Sequence, residues 1–450
     1  MRLGYPAHMV KMFGYFSFVL LVAMVPAGFA HSYGPPPRVT GGAGDNAKAC
    51  TQCHTTNVLN SGTGSVKILL TSGASYIPGV RQRVTVQVAD DAQQRWGFEL
   101  SARPNSDLEN SSAGDFTSID NFTQVICADA SAKPCASGPS FVHHTTVGTR
   151  NGQRGSANFV FDWTPPATNV GPITFFVAGN AANGNGSPAG DQIYTTSMVL
   201  SPLTPAAPAV TAGNIVSAAT STAGPVGQNS WVSIYGTNLS ATTRSWTDVD
   251  FVNGATPTVL DGVSVVLTAG GPAPRLVPVG YVSPTQVNFL LPIDVNPATV
   301  QIQLKNPAGI TPQLPLTAAA NTPQLLTLDG KYAAGAHANG SLVGKTGLIS
   351  SSPTTPAAPG ETITLYATGC GNTTPALVSG QLPVAGASLA TLPTATIGGA
   401  DAPVLSGVIV SPGLYQIRVT VPANAANGDL PVVMLLGGNS SASTLVTIQK

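Results

Sequence analysis

Between Val66 and Leu200 apolar and polar side chains alternate with a period of two. Val84, Val86 and Val88 alternate with Thr85 and Gln87, and Trp96, Phe98, Leu100 and Ala102 alternate with Gly97, Glu99 and Ser101. Successive side chains of a strand point to opposite faces, so both runs predict strands buried on one face only. The same pattern returns at Phe159, Phe161 and Trp163, and less cleanly over Ile173 to Ala178 and Tyr194 to Leu200. Strands at this frequency, with turn-rich segments between them, predict an antiparallel sandwich. Ahead of it, residues 31–48 carry Gly34-Pro35-Pro36-Pro37 and Gly41-Gly42-Ala43-Gly44 and are read as an extended, irregular leader without a core of its own.

The clearest boundary is Ser201-Pro202-Leu203-Thr204-Pro205-Ala206-Ala207-Pro208, where repeated prolines stiffen the chain and withhold donors from a sheet. A linker is placed at 201–212, and a second unit starts near Gly213. Beyond it the chain repeats at a period of about 130 residues, the length of one domain. Val232-Ser233-Ile234-Tyr235-Gly236 reappears as Ile363-Thr364-Leu365-Tyr366-Ala367, and Gln286 to Pro292 reappears as Gln416 to Pro422. The expected fold class is therefore all-β, with one sandwich at 31–200 and two immunoglobulin-like sandwiches at 213–321 and 322–450.

Composition agrees with short strands and tight turns. Gly (49) and Pro (38) are abundant, and charged residues make up 8% of the chain, against roughly 25% in ordinary soluble domains. The formal net charge is zero, which gives no electrostatic reason to expect nucleic acid or an anionic membrane as partner. Residues 1–30 read as a signal peptide. Arg2 and Lys11 form a basic start, Phe13 to Val25 is an apolar run too short for a permanent membrane helix, and small residues end at Ala30. Met9 or Met12 would serve equally as the start. With no later apolar stretch of membrane length before Lys450, the mature chain is expected from His31 as an exported protein, at the cell surface, in the periplasm or released.

One run has chemistry that its residue types name. Cys50-Thr51-Gln52-Cys53-His54 is the Cys-x-x-Cys-His pattern of covalent c-type haem: two thiols three positions apart each add to a vinyl group, and the adjoining imidazole becomes an axial ligand of the iron. A Cys50–Cys53 disulfide, half a zinc site or cofactor-free architecture stand as alternatives, although no second Cys/His pair with zinc spacing follows. Cys127 and Cys135 then form a disulfide closing a short loop, which an oxidising compartment permits. Cys370 is left as a small buried strand residue.

The sixth position would be filled by another residue or by water, or left open, and a histidine elsewhere in the chain also has the ordinary reading of a surface or turn-bonded residue. His143 and His144 lie on a predicted strand whose alternation sends their rings to opposite faces, so only one of them faces a given cofactor; His31 and Met198 are weaker candidates. Asn180, Asn183, Asn185 and Asp191 sit in a Gly-rich loop that suggests calcium, but a single carboxylate suits a hard cation poorly and Asn-Gly pairs form turns. Trp96, Phe98, Phe161, Trp163 and Phe175 are assigned to the core rather than to a crevice wall. His337 is the only histidine beyond His144, and neither a phosphate-cradling loop nor a His-Glu-x-x-His helix occurs, so no enzyme activity is expected.

Residues 31–200 resemble the bacterial relatives of the Reeler (reelin-type, variable-anchor) domain. The resemblance rests on the Gly-Pro-Pro leader, the Cys-x-x-Cys-His run, Tyr76-Ile77-Pro78-Gly79, Trp96-Gly97-Phe98, His144-Thr145, Phe161-Asp162-Trp163 and the run from Ala178 to Gly186. It singles out His144 as the distal haem ligand. Residues 213–450 resemble the Solibacter-type tandem immunoglobulin/TIG-like module of secreted acidobacterial proteins, through Ile234-Tyr235-Gly236-Thr237-Asn238-Leu239, Tyr281 to Asn288 and Ile397-Gly398-Gly399. That module implies no activity. Together these features predict a secreted protein carrying one haem c on Cys50 and Cys53, with His54 and His144 as ligands, in electron transfer or haem-linked sensing with an unknown redox or surface partner. The other expectation is a cofactor-free surface or matrix binding module in which Cys50 and Cys53 are bonded to each other.

Overall fold

The computed structural model describes residues 31–269, 273–384 and 386–450; the signal-peptide assignment lies outside them. Among the described residues the regular structure is strand, with four short 3-10 turns. In the N-terminal region the strands are β1 (Ser65–Leu70), β2 (Ser75–Tyr76), β3 (Gln82–Asp90), β4 (Arg95–Pro104), β5 (Asp115–Ser118), β6 (Thr123–Cys127), β7 (Ser140–His144), β8 (Gly155–Thr164), β9 (Ile173–Ala182) and β10 (Gln192–Pro202). They form two packed sheets, ordered β1-β3-β8-β5 and β2-β10-β9-β4-β7-β6. Val84, Val86 and Val88 meet Phe98, Phe159, Phe161, Trp163 and Phe175 in one core, as the alternation requires. Trp96 and Trp163 satisfy their indole N–H groups on the carbonyls of Gln153 and Ala113, which lets both rings be buried.

The alternation misleads at β4. From Trp96 to Pro104 every residue of that strand is buried, Glu99, Ser101 and Arg103 included. The leader explains this, because it lies across the outer face of the larger sheet and covers positions that would otherwise meet water. Gly42 rests on the Phe176 ring, where a Cβ would come within 2.4 Å of it. The Val39 N–H donates to Glu99 Oε2 at 2.6 Å. Arg103 and Asp45, whose side chains are both fully buried, pair at 2.7 Å. A segment without a core of its own is thus bound by buried polar contacts. β10 also runs two residues into the proline-rich stretch, with Ser201 and Pro202 pairing in parallel with Ser75 and Tyr76 at the sheet edge, the one place where a strand tolerates proline.

Two further pairs of sheets occupy the rest of the chain, each around its own core. The internal repeat has a direct structural counterpart. Trp231–Tyr235 pairs antiparallel with Gln286–Leu290, and Thr362–Thr368 pairs in the same way with Leu414–Thr420, so the repeated segments are neighbouring strands of equivalent sheets. Cys370 is buried, but it follows the end of Thr362–Thr368 and so lies in a loop rather than a strand; burial pushes its thiol up to about 12. The Cys127–Cys135 disulfide is formed.

Candidate functional site

The leader does more than cover β4: where it turns, it presents Cys50 and Cys53. Ala49–Gln52 forms a single 3-10 turn whose Cys50 carbonyl accepts the N–H groups of both Cys53 and His54, at 3.2 and 3.0 Å. That turn brings the two cysteines and the histidine into one crevice. Both cysteines are free thiols, whereas Cys127 and Cys135 are bonded. Burial, followed by the neighbouring Glu99 carboxylate, pushes the Cys50 thiol up to about 12, so it is no ready nucleophile.

His54 is held from both sides. Its Nδ1 lies 2.7 Å from Asp191 Oδ2, on a carboxylate that is 2% exposed, and Asp191 is itself fixed by the Asn183 N–H on its other oxygen at 3.1 Å. A carboxylate on Nδ1 places the proton there and leaves Nε2 as a lone pair. The only group near that lone pair, among the described residues, is the Asn180 amide, a long 3.3 Å contact. Both ring nitrogens are thus engaged, which fixes the orientation of the imidazole.

His144 lines the same crevice, together with Arg95, Gly97, Trp96 and Phe98. Its Nδ1 sits 3.1 Å from the Phe98 N–H and 3.3 Å from the Phe98 carbonyl. The ring can therefore accept from one or donate to the other, and only the donating tautomer frees Nε2. Burial, the largest cause, lowers its pKa to about 4, which keeps it uncharged at neutral pH. Gly97 makes the space for this ring, since a Cβ there would stand 2.8 Å from His144 Cε1. Gly97 points outward, between the inward Trp96 and Phe98, so His144 reaches the leader-covered side. His143 lies there too, against Gly34, and the two ring centroids are 6.2 Å apart. The expected division onto opposite faces is thus not observed: β7 ends at His144, whose ring folds back along the Phe98 backbone. Of the two, His144 alone fronts the crevice.

The remaining candidates separate cleanly. His31 lines the crevice, while Met198 packs against the core. Asn183 and Asn185 build the turn through side-chain oxygens that accept the N–H groups of Asn185 and Ser187. Asn180 and Asp191 serve His54 instead of a cation. Trp96 and Phe98 both fill the core and wall the crevice, so the assignment to core alone was incomplete for these two. Among the described residues no three His, Cys, Asp or Glu side chains are grouped to hold a metal ion, and no helix is long and apolar enough to cross a membrane.

No family model matches the chain, and no curated protein matches it. Among solved structures, the human F-spondin reeler domain is similar at 22% identity over 32% of this chain and 94% of that one, with a TM-score of 0.22. A cohesin module from a Clostridium perfringens family 33 glycoside hydrolase is similar at 12% identity over 32% of this chain and 100% of that one, with a TM-score of 0.23. Domains 5–6 of the S-layer protein SbsC are similar at 12% identity over 54% and 98%, with a TM-score of 0.21. At such scores the architecture rests on the chain's own sheets and cores.

Proposed function

We propose that this is an exported, non-enzymatic β protein whose N-terminal Reeler-like sandwich carries one covalent haem c, attached through Cys50 and Cys53, and works in extracytoplasmic electron transfer or haem-linked sensing. The observation that carries the proposal is the His54–Asp191 pair: a buried carboxylate fixes Nδ1 and turns Nε2 into the crevice, one residue beyond two free thiols on the same turn. The donor set fits the group. When bound, haem supplies one-electron exchange or, with its sixth position open, ligand binding. Asp191 orients His54; Trp96 and Phe98 exclude water; His144 offers a second imidazole once its Nδ1 donates to Phe98. The crevice holds about 70 Å³, well short of the roughly 300 Å³ at which small-molecule sites begin. Seating a porphyrin therefore requires the leader to lift.

That narrowness, with His54 already hydrogen-bonded at both nitrogens, favours a second reading: a cofactor-free binding module. The full chain matured in a host with c-type assembly machinery separates the two. The first reading expects a Soret band and haem that stays with the polypeptide after denaturation, lost in Cys50→Ala/Cys53→Ala. A colourless product of that host, with the two sulfurs joined by intact mass, sinks the haem and leaves the binding module.

A further inference from the structure

A second opening lies between the two immunoglobulin-like sandwiches. It measures about 430 Å³, within the range of small-molecule sites, and both sandwiches line it. Trp231 and Trp246 form its aromatic wall, edge to face with centroids 5.0 Å apart, and Phe251 buttresses Trp246 at 5.1 Å. Two glycines make that wall possible. A Cβ on Gly280 would stand 2.4 Å from Trp231 Cη2, and one on Gly413 2.8 Å from Trp231 Cδ1, so the indole lies where two side chains are missing. Its Nε1 crosses the seam to the Pro412 carbonyl at 2.9 Å, which fixes the ring.

The polar groups of the cleft are neutral, and the Asn288 amide N–H is one left to pair among them. Asn288 Oδ1 is occupied by Ser233 Oγ at 2.9 Å and Gln286 Nε2 at 2.8 Å, which orients the amide and leaves Nδ2 without a partner among the described residues. Thr368 borders the cleft as well, but its Oγ1 is buried and unpartnered among the described residues, so it does not face a ligand. No residue lining the cleft carries a formal charge. A charged ligand would therefore meet nothing to offset its desolvation, and a wholly apolar one would leave the Asn288 amide unpaired. What matches is a neutral molecule with flat C–H faces and a hydroxylated rim.

We infer that this cleft binds a neutral saccharide, with a sugar ring against the Trp231–Trp246 wall and a hydroxyl on the Asn288 amide. The site joins both sandwiches, so occupancy also ties them together, and it stands whether or not the N-terminal crevice holds haem. The test is calorimetric titration of the full chain with cello-, xylo-, malto- and N-acetylated chito-oligosaccharides, with tetragalacturonate as the charged control and the uncharged dye N-phenyl-1-naphthylamine as the apolar one. At least one neutral series should bind and change tryptophan emission. Trp96 and Trp163 are buried in the N-terminal core, so the change reports the cleft pair. Asn288→Ala should weaken binding about tenfold, the value of one well-placed hydrogen bond. Ser245→Trp, which plugs the cleft from an exposed position without removing a buried group, should abolish it. Binding of the apolar dye alone, tighter binding of tetragalacturonate, no binding by any neutral series, or neutral-sugar binding that survives Ser245→Trp would overturn the inference.

Discussion

The crevice beneath the leader and the cleft between the tandem sandwiches are both seams where one piece of chain closes over another, yet they are built from different materials. Cys50, His54 and Asp191 line the first, where His54 and Asp191 hold each other, and the leader that closes it is pinned by the buried Arg103–Asp45 pair. The second is walled by indoles and glycines and carries no charge. Burial accounts for both. A titratable group out of water must be paired, so it brings a network of fixed geometry, which suits a prosthetic group that is held permanently. A neutral wall pays no such penalty and stays open, which suits a ligand that comes and goes. The two regions should accordingly fail in different ways.

The largest difference should appear on Arg103→Ala. Arg103 Nη2 pairs with Asp45 at 2.7 Å, and its Nη1 donates to the Glu109 carbonyl at 2.9 Å, with the side chain fully buried. Removing it leaves the buried Asp45 carboxylate with only the Thr40 hydroxyl and Arg38 at 3.7 Å, and should destabilise the N-terminal sandwich by about 3 kcal/mol. In chemical denaturation the transition of that domain should move to lower denaturant while that of the tandem pair stays in place, because separate cores unfold separately. Equal shifts in both would mean that the two regions form one cooperative unit, and the contrast drawn above would fall.

The converse change is Tyr415→Phe. Tyr415 is buried in the last sandwich, where its hydroxyl donates to the Gly371 carbonyl and accepts the Asn229 amide from the preceding sandwich at 2.8 Å. The phenylalanine keeps the packing but leaves Asn229 Nδ2 buried without a partner, a cost of about 1–3 kcal/mol. Here the tandem pair should lose stability and the N-terminal transition should not move. An unchanged tandem transition would show that water replaces the lost bond.

How much of this was legible beforehand follows from what each signal measures. Alternation at Val84, Val86 and Val88 reports which face meets the core, and it located the strands and the all-β class. It says nothing of what covers the other face, so Glu99 and Ser101 were assigned to the uncovered face of a half-buried strand while a Gly- and Pro-rich leader lay over them. The repeat at 232–236 and 363–367 was visible because paired strands keep their pattern. The Cys-x-x-Cys-His run was visible because its chemistry is local. Its partner Asp191 was not, being 137 residues away and better suited in its own loop to a turn or a cation. The neutral cleft left no trace at all, because Gly280 and Gly413 create it by lacking side chains, and no spacing records an absence.

The smallest expected effect concerns the joint between the regions rather than either interior. Arg83 reaches across it from β3, to Asp162 at 2.7 Å within its own sandwich and to Asp250 at 3.3 Å in the next, while Arg244 holds Asp250 at 2.9 Å and Asp261 at 2.9 Å. Burial raises the Asp250 pKa, but the hydrogen bond and charge of Arg244, the Thr247 N–H and the charge of Arg83 more than offset it, so the carboxyl titrates below its ordinary range. A carboxylate with a depressed folded-state pKa contributes stability that is present above its unfolded value, about 3.9, and is lost as pH falls through the lower folded value. The joint should therefore hold at neutral pH and loosen only below about pH 4. Limited acid proteolysis at residues 203–208, with scattering to follow the separation of the regions, should show the loosening. Asp250→Asn should lack the acid-dependent part and be looser at pH 7 already, because an amide cannot hold two guanidinium groups. Other carboxylates titrate in the same window, so the decisive quantity is wild type minus Asp250→Asn. A difference that is flat from pH 6 to pH 3 would remove Asp250 from the joint and leave the two regions connected by their linker alone.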